Sequence, residues 1–150
     1  MSVSAIRQPA LQALYNGFNT ATSVTGAALT HGWTLCATRR MAGSAPQLVL
    51  QHAGGVFHDE LDQYNPYFLR VLAYHTDQLV ALAKIEEVIA FTLTHRAIGG
   101  QEFPWVLEGW TARTMHPDTP DVREAATITD EPNVLWEAAV VIAIILSKSA

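Results

Sequence analysis

Apolar and polar positions divide the chain into helical and extended segments. Pro9 opens a run with apolar residues at Ala10, Leu11, Ala13, Leu14 and Phe18. This is the spacing of one helical face, and proline suits a first turn, where its missing N–H costs no hydrogen bond. Asn16-Gly17 and the Thr-, Ser- and Gly-rich residues 19–30 weaken that helix. From Trp33 the period changes. Trp33-Thr34-Leu35-Cys36-Ala37-Thr38 alternates as a half-buried strand does, and Gly43-Ser44-Ala45-Pro46 marks a turn. Gln47-Leu48-Val49-Leu50-Gln51-His52 reads as the next strand, broken by Gly54-Gly55. Residues 58–66 are polar and acidic and predict a loop or hairpin tip. Residues 67–75 place Leu69, Val71 and Ala73 on one face and Phe68, Arg70, Leu72 and Tyr74 on the other. Apolar groups on both faces predict a strand inside a sheet.

A long helix follows. Thr76 is the expected N-cap, Asp77 suits the positive end of the helix dipole, and Gly99-Gly100 supplies a left-handed stop. Leu82, Ile85, Ile89 and Leu93 recur at helical spacing, with Lys84, Glu87 and Thr94 on the opposite side and His95 and Arg96 in the last turn. Residues 103–115 then predict a strand carrying Trp105, Leu107 and Trp110. Residues 125–129 predict a short one, and Asp130-Glu131-Pro132-Asn133 a turn. Residues 134–146 are rich in Val and Ile. They fit a buried helix or a central strand, and the β-branched content after a turn favours the strand. Strand runs interrupted by single helices predict an α+β fold: one domain with a mostly antiparallel sheet, flanked by one long and one N-terminal helix.

Composition narrows the class. A chain of 150 residues with 49% hydrophobic residues can bury one core and is no disordered tail. Charged residues make up 15%, against about 25% in a typical soluble domain, which points to surface hidden in an assembly. A net charge of −5 argues against a basic face for DNA or anionic lipid. The single cysteine, Cys36, allows no internal disulfide. The first residues lack the charged and apolar regions of a signal peptide. The most apolar run, residues 134–146, is interrupted by Glu137 and falls short of the roughly 20 residues of a membrane-crossing helix. A soluble, intracellular or assembled protein is the expectation.

Candidate chemistry is sparse. His52 and His58 flank Gly54-Gly55 beside Asp59 and Glu60; two imidazoles and two carboxylates can hold a divalent ion, but their spacing matches no metal motif, and solvated loop residues explain them as well. His75 and His95 bracket the long helix about 30 Å apart and cannot share a site. Cys36 lies mid-strand as a small buried thiol does. Gly43-Ser44-Ala45 lacks the second glycine of a nucleophile elbow, and neither glycine pair precedes the Lys-Ser or Lys-Thr of a phosphate loop. Glu86 and Glu87 are adjacent on a helix and point apart. No cofactor, metal or catalytic motif is called for. Trp33, Trp105, Trp110 and Trp136 suit core packing or a subunit interface. The acidic groups, with Asp59, Glu60, Asp62, Asp118 and Asp121 among them, suit solvated loops.

The order of segments carries a resemblance. Pro46-Gln47-Leu48-Val49-Leu50, the acidic tip Asp59-Glu60-Leu61-Asp62, the strand 68–75, the helix from Asp77 and the closing Leu135-Trp136 with residues 138–146 resemble tail-terminator proteins of long, non-contractile-tailed bacteriophages. The resemblance is one of pattern and order across nearly the whole chain; residues 19–40 and 117–133 depart from it. It implies a virion protein at the tail–neck junction, assembled in the host cytoplasm. Such a protein forms a six-fold ring that caps the tail tube, meets a head-completion or neck protein, and lets DNA pass through its lumen without specific binding or contact with a membrane. It also implies no turnover and no cofactor. Ring closure needs two different complementary patches. The expected interface residues are Trp105, Trp110, Trp136, Asp59, Glu60, Asp62, Asp118 and Asp121, and removal of residues 117–133 is expected to leave a folded subunit that does not terminate tails. Two alternatives remain. One is a head-completion or tail-tube protein of the same virion. The other is a small α+β-barrel enzyme or binding protein, its pocket lined by Tyr74, His75 and the tryptophans, with His75 or Asp77 as base.

Overall fold

A computed structural model describes residues 29–37, 39–41, 46–55, 65–95, 110–125 and 134–148. They form strands β1 (Thr34–Ala37), β2 (Gln47–Gly55) and β3 (Asn65–His75), helix α1 (Gln78–His95), then β4 (Trp110–Pro117), β5 (Asp121–Glu124) and β6 (Trp136–Lys148). The six strands make one mixed sheet in the order β1-β2-β3-β6-β4, and β5 pairs β6 in line with β4. Only β1 and β2 run parallel; all other pairs are antiparallel. The expected N-terminal helix, residues 9–18, lies outside the described residues.

The closing segment is a strand. Its β-branched residues alternate between two covered faces, and it runs beside β3 from Asn65↔Leu146 to His75↔Trp136. The central position expected for residues 67–75 also holds, since β3 lies between β2 and β6. Other boundaries differ from the pattern. β2 runs on past His52 through Gly54-Gly55, because Ala53 is accommodated as a bulge and Gly54, at φ 121, carries the strand past it. In the fourth segment, strand structure is described from Trp110 to Pro117, and Trp105 lies outside the described residues. A short strand forms at Asp121–Glu124; of the strand expected at 125–129, residues 126–129 lie outside the described residues.

One sheet face packs on α1. Leu48, Leu50, Leu69, Val71, Val140, Ile142 and Ile144 meet Ala81, Ile85, Val88 and Phe91 in a closed core. The buried stripe is therefore rotated from the expected one: Leu82 and Ile89 are half-buried and Leu93 is exposed. Lys84, expected on the wet side, is buried. Its ammonium donates to the Leu29 carbonyl at 3.0 Å and to Glu87 at 3.1 Å and stands 5.4 Å from the Trp33 ring centre. The helix starts on Asp77, not Thr76: Asp77 Oδ1 accepts from the Leu79 N–H at 2.9 Å, the N-cap bond. Gly32, at φ 76, sits in the turn that the Trp33 N–H closes on the Thr30 carbonyl.

Candidate functional site

The face of the sheet turned away from α1 carries the polar residues. Because side chains alternate, register alone decides which residues align there. One row crosses the sheet as Thr34, Gln47, Tyr74, Glu137 and Arg123, each the partner of the next. The row beside it is Cys36, Val49, Leu72, Ala139 and Asp121. A third holds Gln51, Arg70 and Val141, whose carbonyl accepts from the Asp118 N–H at 2.8 Å. Cys36, Val49, Leu72 and Tyr74 form a small second core on this side, and burial pushes the Cys36 thiol up from its usual range.

Side-chain hydrogen bonds join Tyr74, Glu137 and Arg123 of the first row. Tyr74 Oη donates to Glu137 Oε2 at 2.7 Å, and Arg123 Nε donates to Glu137 Oε1 at 2.8 Å. The Arg40 guanidinium lies 5.2 Å from the Tyr74 ring centre, a cation–π distance. Gln47 is fully buried; its side-chain oxygen accepts from the Met41 N–H at 2.8 Å and its nitrogen donates to the Met41 carbonyl. Gln47 thus pairs with residue 41 as a neighbouring strand would, fastening the segment between the parallel strands. Burial, and then the bond to Glu137, hold the Tyr74 phenol protonated well above its ordinary range. The same carboxylate raises Arg123 further.

Beside this row lies a cleft of about 300 Å³. Leu72, Ala139 and Val141 form its floor, with Glu137 and Arg123 at one end and Arg70 at the other. Asp118, Thr119 and Asp121 line the remaining side. This stretch joins β4 to β5 along β6, and Pro117 and Pro120 bracket it. Proline suits an outer strand, where an N–H has no ladder to join.

Of the expected site residues that are described, Asp118 and Asp121 share a cleft and the tryptophans lie apart from it. Asp118 and Asp121 are exposed on the cleft. Trp136 is half-buried against the main core. Trp110 pairs with Lys148 at the far end of β6, about 40 Å from Trp136 at 3.3 Å per strand residue, so the two tryptophans cannot share a patch. Trp105, Asp59, Glu60 and Asp62 lie outside the described residues, as does His58 of the suggested metal group. Among the described residues no three His, Cys, Asp or Glu side chains gather around a common point, and no helix is long and apolar enough to cross a membrane.

Tyr74 and His75 do not face a common pocket. Consecutive strand residues face opposite ways, so Tyr74 meets Glu137 on one side while His75 lies 5.8 Å from the Trp33 ring on the other. His75 Nδ1 accepts from the Asp77 N–H, and the Asp77 carboxylate caps the helix. Sequence reasoning missed Glu137 as a site residue. Its signal was present: an acid inside an apolar strand must find partners or stay out of the core. Compared with known proteins, the chain matches no family and no curated sequence.

Proposed function

We propose that the protein is a structural virion subunit, a tail terminator whose copies close into a hexameric ring on the end of a phage tail tube and meet the neck of the head. The observation that carries this reading is the distribution of exposed apolar side chains. Among the described residues five large apolar side chains are exposed, Met41, Leu79, Val80, Leu93 and Val134, at 52%, 73%, 39%, 46% and 58%. All but Leu93, near the far end of α1, belong to the end of the sheet where β1, β2 and β6 begin and β3 ends. Single exposed apolar residues are ordinary, but several gathered at one pole suit a contact surface. The low charged content of the chain agrees with surface covered by other subunits.

Native mass with negative-stain imaging tests the proposal. The expected result is a hexameric ring with an open centre, or a monomer that forms one on tube ends. Leu79→Asp with Val134→Asp, both on exposed side chains, should leave a folded monomer and abolish the ring. A stable dimer holding a small ligand would overturn the assignment. Open-ended stacking would replace it with a tube subunit.

A further inference from the structure

The cleft beside Glu137 gathers a charge pattern around Asp118 and Asp121, two of the residues expected at an interface. Arg123 has given its Nε to Glu137, so that pair is internally balanced. Asp118 and Asp121 are exposed and make no ion pair with any other described residue. Arg70, also exposed, donates to Gln51 Oε1 at 3.5 Å and forms no salt bridge among the described residues. Among the described residues, two carboxylates and one guanidinium therefore close no salt bridge around the apolar floor, with Asp121 also in the field of the Arg123 that Glu137 holds. A free anion meets net repulsion there, and a lone cation meets Arg70.

We propose that this cleft docks an extended, basic-rich segment of a partner protein that carries one acidic residue among its lysines or arginines. The basic side chains answer Asp118 and Asp121, the acid answers Arg70, and the short side chains of Ala139 and Val141 let a peptide backbone approach the sheet. The Tyr74–Glu137–Arg123 chain fixes one end of the site, because Glu137 is held through both oxygens. The cleft belongs to a single subunit, so this inference stands or falls apart from the ring.

The test uses the isotope-labelled full chain and two blocked peptides, Lys-Ala-Lys-Ala-Glu and its charge inverse Glu-Ala-Glu-Ala-Lys. The first should shift the backbone amides of residues 118–123 and 137–141, with affinity falling about tenfold from low to about 0.3 M salt. Arg70→Glu combined with Asp121→Lys should transfer the preference to the inverse peptide. Should that pair misfold, Asp118→Asn with Asp121→Asn should simply remove binding. Equal shifts from both peptides, a wild-type preference for the inverse, or no shift at about 5 mM of either peptide overturns the proposal.

Discussion

Glu137 interrupts the most apolar stretch of the chain, and its burial is tolerable only because both carboxylate oxygens are hydrogen-bonded. Its partner Tyr74 lends itself to a pH test. The folded state holds the Tyr74 phenol protonated above its ordinary range, whereas the unfolded chain releases that proton near pH 10, at about the ordinary tyrosine value. Below that pH both states are protonated, so the stability that Tyr74 contributes does not vary with pH. Above it the unfolded state binds fewer protons, so stability falls as pH rises, until the folded phenol also ionises. Tyr74→Phe should cost about 1 kcal/mol at neutral pH through the lost hydrogen bond and flatten the alkaline decline. Urea midpoints of both proteins from about pH 8 to about 11.5 check this. Parallel declines would show that Tyr74 contributes none of it.

At the scale of elements, α1 was legible as a helix but not in its rotation. Of the expected stripe Leu82, Ile85, Ile89 and Leu93, Ile85 enters the core, yet the sheet otherwise receives Ala81, Val88 and Phe91. The reason lies outside the helix: Lys84 is drawn inward by the Leu29 carbonyl and the Trp33 face. Lys84→Met keeps the apolar stem but removes the donor, so it should cost about 1–2 kcal/mol and speed hydrogen exchange at the Trp33 amide, whose bond closes the adjoining turn. Unchanged exchange there would show that the turn holds without Lys84. The cap was legible to within a residue. Asp77→Ala should lower stability by about 1 kcal/mol while Thr76→Ala leaves it nearly unchanged, as denaturant midpoints would register. A larger loss at Thr76 would contradict the observed cap.

For the whole molecule, the structure changes how assembly is probed. Residues 117–133 are not a dispensable loop, because they include β5, which pairs with the start of β6 and carries the Arg123 that bonds Glu137. Deleting them would strip an edge of the sheet, and lost tail termination would then say nothing specific about docking. The exposed pole at Met41, Leu79, Val80 and Val134 is the cleaner target, since those side chains can be changed without emptying the core. The loss of rings expected from Leu79→Asp with Val134→Asp belongs at this scale, with light scattering to count subunits and circular dichroism to verify the fold.

Local pattern determined much of which segments extend and which coil. The alternation in residues 67–75 and the capped helix after Asp77 each carry their own physical preference, whereas residues 134–146 fit strand or helix and their pairing with β3 makes them β6. The strand order, the bulge at Ala53, the inward Lys84 and the row from Gln47 to Arg123 were decided only by tertiary structure. Register between strands distant in sequence sets which side chains become neighbours, and no local period encodes that register. Glu137 shows the difference. Its sequence position marked it as an anomaly, but only the pairing of β3, β6 and β5 supplied the tyrosine and arginine that make it a site.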